Sequence, residues 1–339
     1  MKKVEIIAEI GVNHDGSIAK AKKLISAAKE SGADFAKFQF YDAKHLVTPD
    51  HKKAGYQFRS IDETDSHFEM LKKYQFNMDQ LLELERFAVS LEIGFMLSAF
   101  DLHSVSAALS LNLPYYKIPS GEITNQLSLE LIGSQNQSII ISTGMATIFE
   151  IDECLKVLSK NGQNLSKVTL LHCSSEYPAD KDNLNLDALT LLQEKFQTRI
   201  GYSDHTQGIS AGILSVALGA EIIEKHITLN CNDAGPDHMA SLDPKQFQEY
   251  VKGIRDAQIM LGEKIKQPSQ TEIDNAKIAR QVIVAKNQIN IDEPFNLDNL
   301  TVKRAGKGMS PMLIHRLTGQ KSSQKYQIDD LIDEVILTG

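Results

Sequence analysis

Ionisable and hydroxyl-bearing residues recur at the ends of short apolar segments along most of this sequence. Two of them, Lys37 and Lys117, lie within such segments, although an unpaired ammonium group is costly to bury. Lysine side chains could hold a phosphate and a carboxylate, helped by the hydroxyls and backbone N–H groups of the turns Ser120-Gly121 and Ser142-Thr143-Gly144. The alternative is internal ion pairs, with Glu9, Glu122 or Glu224 as the partners of the lysines.

Two histidines, His205 and His226, follow separate apolar segments and could converge on one divalent metal ion. Imidazole suits zinc, copper, iron or nickel, whereas manganese prefers oxygen and would need water or substrate oxygens as further ligands. Two protein ligands leave open positions, as a catalytic metal site requires. The alternative for each histidine is a hydrogen-bonded structural role. The motif H-E-x-x-H is absent, and no H-x-H follows the first segment, which disfavours hydrolases that bind metal through those motifs.

The apolar segments alternate with segments of helical period, as Ala21, Leu24, Ile25 and Ala28 illustrate. Such alternation implies parallel strands with right-handed crossovers, and eight units predict an α/β fold of the (β/α)8 TIM-barrel type. A doubly wound open sheet is the alternative, but no G-x-G-x-x-G follows the first strand. The predicted strands are Val4–Glu9, Phe35–Gln39, Gly94–Ser98, Tyr115–Ile118, Ser138–Ser142, Val168–His172, Thr198–Tyr202 and Glu221–Ile227.

In a TIM barrel the catalytic groups lie at the carboxyl ends of the strands. Every predicted strand delivers polar or ionisable residues at that end. Lys37 and Gln39, for example, occupy alternate positions of the second strand and so share one face. The sequence therefore predicts that the residues named above meet at one mouth of the barrel.

We expect three regions: a TIM-barrel catalytic domain in residues 1–264, a linker in residues 265–280 and a small domain in residues 281–339. The small domain has extended runs at Val282–Ala285, Leu300–Lys303 and Val335–Leu337. A domain of about 60 residues is near the lower limit for independent folding, so docking on the barrel or on a partner chain is expected. Residues 40–77 form a long connection, which predicts a functional lid or extra structure.

Composition excludes several classes of protein. The chain has 339 residues, 42% hydrophobic and 24% charged, which is typical of a folded globular protein. A net charge of -8 disfavours nucleic-acid and membrane-surface binding. Three cysteines at unrelated spacings make no disulfide framework and suit a reducing compartment. Without a signal segment or an apolar run of eighteen residues, a soluble cytoplasmic enzyme is expected.

Nine motifs, in order along the chain, resemble those of the sialic acid synthase family, which includes legionaminic and pseudaminic acid synthases. They are residues 8–16 (AEIGVNHDG), 37–39 (KFQ), 117–125 (KIPSGEITN), 142–145 (STGM), 171–178 (LHCSSEYP), 201–206 (GYSDHT), 224–229 (EKHITL), 235–238 (GPDH) and 302–304 (VKR). The resemblance implies that phosphoenolpyruvate condenses with an N-acylmannosamine-type aldose, in a metal-dependent reaction, to a nine-carbon 2-keto acid and phosphate. It also implies that the last domain is the family's antifreeze-like (SAF) β-clip domain.

The resemblance also implies roles for individual residues. The metal, most often manganese with cobalt or magnesium as alternatives, would be held by His205 and His226. The catalytic residues would be Glu9, Lys37, Lys117 and Glu122. Phosphoenolpyruvate would contact Lys37, Ser98, Lys117, Ser120, Ser142, Gly144 and Ser203. The sugar would contact Gln39, Glu122, Tyr177, Asp237 and Arg304. In the family the antifreeze-like domain reaches across a homodimer, so that Arg304 would touch the N-acyl group of the sugar bound by the partner.

Two positions depart from the family pattern: Ser98-Ala99 stands where a threonine and a proline are usual, and Ser175 stands where asparagine is frequent. Residues 54–57 and 62–64 resemble the legionaminic branch. Four alternatives remain open: a pseudaminic acid synthase, another phosphoenolpyruvate-dependent barrel synthase acting on an aldose phosphate, a sugar-binding protein without activity, and an inactive paralogue.

Overall fold

The structure is a computed structural model and describes residues 3–48 and 66–332. It divides into two compact units, Met1–Gly262 and Glu263–Gly339. Two predictions fall on residues that are not described: the resemblance of residues 54–57 and 62–64 to the legionaminic branch, and the extended run Val335–Leu337. None of the helices in the described parts combines the length and the apolar character needed to cross a membrane.

The first unit is a closed barrel of eight parallel strands arranged in chain order, with the last strand paired to the first. This confirms the predicted barrel and excludes the open sheet. Each predicted strand coincides with an observed one, with ends that differ by at most two residues. The strands are β1 (Glu5–Gly11), β2 (Phe35–Phe40), β3 (Gly94–Ala99), β4 (Tyr116–Ile118), β5 (Ile139–Ser142), β6 (Val168–Cys173), β7 (Arg199–Asp204) and β8 (Ile222–His226).

The interior of the barrel contains an apolar layer with a polar layer above it. The apolar layer is a cluster of five buried side chains, Ile7, Met96, Ile140, Leu171 and Ile222. Because side chains alternate between the two faces of a strand, the residue two positions further along each strand also points inward. Those residues lie toward the carboxyl ends and are polar or carry a thiol: Glu9, Ser98, Ser142, Cys173 and Glu224. The strands therefore position a polar layer directly on an apolar floor.

Helices surround the barrel and begin at side chains that accept hydrogen bonds from their first turns. Ser17 caps the first helix, and Thr147 and Glu150 form a capping box on the seventh. The helices are α1 (Ile18–Glu30), α2 (Ala43–Leu46), α3 (His67–Tyr74), α4 (Met78–Ser90), α5 (Leu102–Leu109), α6 (Gln126–Gly133), α7 (Ile148–Lys160), α8 (Ala188–Phe196), α9 (Ser210–Ala217) and α10 (Pro244–Leu261).

The long connection after β2 contains extra structure where it is described. Helices α2 and α3 lie in it, capped by Asp42 and Ser66. Their apolar residues join a small cluster of Val12, Tyr41, Met70 and Tyr74. The helical period was missed because α2 has four residues and α3 has eight, and such lengths give too few turns for a periodic pattern.

The second unit begins with α11 (Gln270–Ala279), which buries none of its residues within the chain. Two antiparallel strands follow, β9 (Val282–Ala285) and β10 (Leu300–Lys303), with the bounds predicted from the sequence, and a short helix, α12 (Ile314–Leu317). A small apolar core holds this unit together. It consists of Ile283, Ala285, Ile289, Phe295, Leu300, Met309, Leu317, Tyr326 and Ile332.

Candidate active site

A buried cluster of charges forms the centre of the polar layer. Lys37 Nζ lies 2.7 Å from Glu224 Oε2 and 3.3 Å from Glu9 Oε2. Lys117 Nζ donates to both carboxylate oxygens of Glu224, at 2.9 Å each. The alternative of internal ion pairs is therefore realised for both lysines, with Glu224 and Glu9 as partners. Two carboxylates, Glu224 and Glu9, face the two ammonium groups, so the net charge of the cluster depends on the ionisation of Glu9.

Burial and neighbouring charges shift the pKa values of this cluster. Burial alone would raise the pKa of Glu224, but the charges of Lys117 and Lys37 outweigh it and hold that pKa well below its usual range. Burial raises the pKa of Glu9 to about 7, because Lys37 offsets only part of the desolvation. Burial, together with the charge of Lys37, lowers the pKa of Lys117. Glu224 is thus a fixed anion, whereas Glu9 can exchange a proton near neutral pH.

Next to the lysines, small side chains surround a space that only glycine leaves open. The Gly144 N–H donates to Ser120 Oγ at 3.0 Å, and Ser120 Oγ lies 3.3 Å from Cys173 Sγ. A Cβ at Gly144 would lie 2.3 Å from Ser175 Oγ, 2.8 Å from Cys173 Sγ and 2.9 Å from Ser120 Oγ. These hydroxyl, thiol and N–H groups therefore lie close together around Gly144, where a larger residue would displace them.

The remaining predicted phosphoenolpyruvate contacts, Ser98, Ser142 and Ser203, differ in the hydrogen bonds that their hydroxyls make. Ser203 Oγ donates to Glu224 Oε1 at 2.9 Å, so its hydroxyl already belongs to the charge cluster. Ser98 Oγ donates to the Phe38 carbonyl at 3.4 Å, and Ser142 is buried at the end of β5. Sequence reasoning assigned no role to Cys173, although its position two residues beyond the interior Leu171 marks it as a lining residue.

The two predicted metal ligands lie side by side at the ends of β7 and β8. Their rings are 5.6 Å apart between centroids, and the ring of Tyr177 is 4.1 Å from that of His205. His205 Nδ1 donates to the Ser174 carbonyl at 2.7 Å, which leaves its Nε2 available. Burial lowers the pKa of His205 to about 4 and that of His226 well below its usual value. Both rings are therefore neutral at pH 7, the form that binds metal ions.

The same place contains buried polar atoms that lack a hydrogen-bond partner in the described residues. They are Glu9 Oε2 and His226 Nδ1. Glu9 is paired with His226 in the register of β1 and β8, and Asp237 Oδ2 lies 3.8 Å from His226 Nδ1. Two imidazoles with one or two carboxylates form a donor set that fits a divalent cation. The residues present are therefore suited to the metal that the family resemblance implies.

Three of the predicted sugar contacts, Gln39, Tyr177 and Asp237, lie beside these histidines. A Cβ at Gly11, which has a φ of +55°, would lie 3.2 Å from Glu9 Oε1. It would also lie 3.4 Å from both Asp237 Oδ2 and Gln39 Nε2. Burial raises the pKa of Asp237 to about 6. The positive φ and the crowding both explain why glycine occupies position 11.

Two predicted sugar contacts lie elsewhere. Glu122 accepts a hydrogen bond from Asn125 Nδ2 at 2.6 Å and lines a cavity of about 370 Å³ with His45, Asp101 and His103. Arg304 lies in the second unit, directly after β10. It lines a groove of about 1550 Å³ formed by that unit, whose other basic residues include Lys266, Lys277, Arg280 and Lys307.

A second group of potential metal ligands was missed by the sequence analysis. Ligand atoms of Asp15, Asp233 and His238 lie within 4.8 Å of one another. However, Lys20 Nζ lies 2.5 Å from Asp15 Oδ2 and 2.7 Å from Asp233 Oδ2, and His238 Nδ1 is hydrogen-bonded to the Thr228 hydroxyl. The lysine supplies the positive charge that a cation would bring, so this group is an ion-pair network between the loops after β1 and β8.

Comparison with known proteins places this arrangement in a family. A sequence model of the NeuB family matches residues 24–266. The chain is 45% identical over 334 residues to N,N'-diacetyllegionaminic acid synthase of Campylobacter jejuni, covering 98% of this chain and 100% of that protein. It is 40% identical over 320 residues to the protein of the same name from Legionella pneumophila, covering 94% of this chain and 90% of that protein.

Solved structures agree with the sequence relatives. The chain resembles the N-acetylneuraminic acid (sialic acid) synthetase of Leptospira borgpetersenii in complex with citrate, with a TM-score of 0.71 and 30% identity. That similarity covers 81% of this chain and 91% of the other. The family match spans most of the barrel, and the relatives are matched along nearly their whole length. The chain belongs to the NeuB family.

Proposed function

We propose that this protein condenses phosphoenolpyruvate with an N-acylated mannosamine-type aldose to give a nine-carbon sialic-type acid and phosphate. The observation that carries the proposal is the buried Lys37–Glu224–Lys117 cluster beside two neutral histidines at one mouth of the barrel. The names of the relatives support N,N'-diacetyllegionaminate as the product, with N-acetylneuraminate as the alternative. The substrate aldose would then be 2,4-diacetamido-2,4,6-trideoxymannose or N-acetylmannosamine.

Phosphoenolpyruvate carries a phosphate and a carboxylate, and this protein offers two ammonium groups held by one glutamate. We assign Lys37 and Lys117 to these anionic groups. Ser120 and Ser142 would donate to the phosphate, Gly144 would contribute through its N–H, which orients the Ser120 hydroxyl, and Ser98 and Ser203 would complete the site. The apolar floor below them lowers the local polarity, which strengthens the charge interactions above it.

Carbon three of the enol then adds to the aldehyde carbon of the sugar, water adds at carbon two, and phosphate leaves by C–O cleavage. Glu9 is suited to take the proton of that water, because burial raises its pKa, and to pass it on to the aldehyde oxygen, which becomes a hydroxyl of the product. Glu122 is assigned a catalytic role on the sugar side. Gln39, Tyr177 and Asp237 would orient the sugar hydroxyl groups.

His205 and His226 would hold a divalent cation, with Glu9 and Asp237 close enough to contribute oxygen donors. We propose manganese, with cobalt and magnesium as alternatives. When bound, such a cation polarises the aldehyde oxygen as a Lewis acid. The histidines contribute by being neutral and by the Ser174 hydrogen bond, which fixes the tautomer of His205.

The assignments of the second unit belong to the same proposal. Residues 1–264 would be the catalytic domain, residues 265–280 a linker and residues 281–339 an antifreeze-like domain. In a domain-swapped homodimer, Arg304 would contact the N-acyl group of the sugar held by the partner. We propose a cytoplasmic enzyme, because phosphoenolpyruvate is made there and because the three cysteines are free in the structure.

Phosphate release from phosphoenolpyruvate tests the proposal. We expect release with manganese and one of the two sugars, and none after chelation or in His226→Ala. The unchanged fold of that variant is verified by circular dichroism. Failure of both sugars with the folded, metal-loaded protein would contradict the assignment. Turnover of the pseudaminic precursor or of an aldose phosphate would then identify the alternative synthases, and sugar binding without turnover would identify a binding protein.

A further inference from the structure

A second buried ion pair lies in the outer side of the barrel wall, directly behind the two histidines. Lys225 and Asp204 are partners in the register of β7 and β8, and neither side chain is exposed to solvent. Lys225 Nζ lies 3.2 Å from Asp204 Oδ1. Because side chains alternate along a strand, the preceding pair, Ser203 and Glu224, points into the barrel while this pair points outward.

This ion pair holds the backbone on both sides of His205 and directly before His226. Asp204 Oδ1 accepts from the backbone N–H of Thr206 at 2.9 Å and from its hydroxyl at 2.7 Å. Lys225 Nζ donates to the backbone carbonyl of Thr206. His205 therefore lies between two residues that are bonded to each other. Lys225, in turn, immediately precedes His226, so one side chain connects the neighbour of each histidine.

Two helices complete the network. The Tyr250 hydroxyl of α10 donates to Asp204 Oδ2 at 2.9 Å, and Lys225 Nζ lies 5.7 Å from the centre of the Tyr250 ring. A Cβ at Gly212 of α9 would lie 2.1 Å from the Tyr250 hydroxyl oxygen. Glycine at position 212 thus leaves the space that lets Tyr250 reach Asp204.

A buried ion pair is a poor source of stability, because apolar residues of similar volume often stabilise a protein equally well. What such a pair does supply is a defined geometry, since charge and hydrogen bonds fix both partners. We propose that Asp204, Lys225 and Tyr250 are positioning residues that set the separation of His205 and His226 for a divalent cation. This inference rests on the proposed function, which assigns those two histidines as metal ligands.

Metal affinity, measured apart from activity, tests this inference. We would titrate Mn²⁺ into Tyr250→Phe and into the double variant Asp204→Asn/Lys225→Met, following free Mn²⁺ by electron paramagnetic resonance. We expect the Kd for Mn²⁺ to rise by about 10-fold or more, as for other residues that orient metal ligands. The metal-free Tm should fall by no more than roughly 2–12 °C, the effect of about 1–3 kcal/mol for one buried hydrogen-bonding group that loses its partner, because neither variant leaves a buried charge without its ionic partner.

The matched control is Tyr116→Phe, a buried tyrosine of β4 whose hydroxyl has no hydrogen-bond partner in the described residues. Its Kd should equal that of the wild type. Wild-type affinity in both test variants would overturn the inference. A loss of Mn²⁺ affinity that occurs only in variants with a strongly lowered metal-free Tm would also overturn it, because the network would then stabilise the fold and not position the histidines. If His226→Ala binds Mn²⁺ normally, the proposed metal site itself fails; if it loses Mn²⁺ while the test variants do not, only the positioning role fails.

Discussion

The central carboxylate of the charge cluster offers a sharp test of how the cluster is stabilised. Glu224 is buried and interacts with Lys37 at 2.7 Å and with Lys117 and Ser203 at 2.9 Å. Glu224→Gln keeps the shape of the side chain but removes its charge, so that two buried ammonium groups face Glu9 alone. Breaking a buried ion pair by neutralising one partner costs about 3–5 kcal/mol. For a domain of this size, that corresponds to a Tm lower by roughly 6–20 °C.

Phosphoenolpyruvate should reverse much of this loss, because its anionic groups supply the charge that the variant lacks. In the wild type the substrate shares the lysines with Glu224, whereas in Glu224→Gln it meets them without that competition. Ligand at 100 times its Kd stabilises a protein by about 2.7 kcal/mol. At equal phosphoenolpyruvate concentration, we expect a larger Tm increase in the variant than in the wild type, measured by scanning fluorimetry with and without the ligand.

The matched control is Glu221→Gln, one residue before β8. Glu221 accepts from Arg199 at 3.0 Å, but this pair is about one-third exposed, so its loss should cost less than about 1 kcal/mol. A variant Glu224→Gln that melts like the wild type would refute the reasoning about the cluster. A phosphoenolpyruvate-induced increase no larger than in the wild type would refute the assignment of the lysines to the substrate anion.

Three further predictions follow from the site. Gly144→Ala would place a Cβ within 2.3–2.9 Å of three atoms around the proposed phosphate. In steady-state assays that vary each substrate in turn, KM for phosphoenolpyruvate should rise at least about 10-fold, while KM for the sugar changes little. The pKa of Glu9 in the folded protein, about 7, is above its usual value of 4.5, so its contribution to stability is complete below pH 4.5 and is lost as pH rises through 7. The difference in unfolding free energy between metal-free wild type and Glu9→Gln, measured by urea unfolding, should therefore decline over that interval. A difference that does not change with pH would contradict the raised pKa. Lys20→Met removes the cation between Asp15 and Asp233, so this variant should bind one more Mn²⁺ per chain than the wild type in calorimetric titrations; an unchanged stoichiometry would show that this group binds no metal even when the lysine is absent.

The sequence predicted the barrel because each strand is a short apolar run between helical segments, and this signal is local. It also predicted which residues face the mouth, because alternation along a strand fixes the face of each side chain. The position of Lys37 two residues beyond Phe35, and of Lys117 two beyond Tyr115, needs no knowledge of distant parts of the chain.

The pairing of side chains could not be read in the same way. Glu224 was one of three candidate partners for the lysines, and the closure of the barrel, which pairs β8 with β1, brings it to the lysines of β2 and β4. The network of Asp204, Lys225 and Tyr250 joins residues 46 positions apart and follows from strand register. Glu122 was grouped with Asp237 as a sugar contact, which stays a prediction, and the cavity that it lines with His45 and Asn125 could not be read from the sequence.

The apolar floor of the barrel has a kinetic consequence. Five interior side chains close the barrel below Lys37 and Lys117, so the lysines can be reached only from the mouth. The loops that bear Tyr177 and Asp237 lie nearer that mouth. With an entrance at the mouth, we expect a molecule bound at the lysines to arrive before a molecule bound at the loops and to leave after it. This expected order rests on the shape of the barrel and not on a difference in affinity between the two substrates.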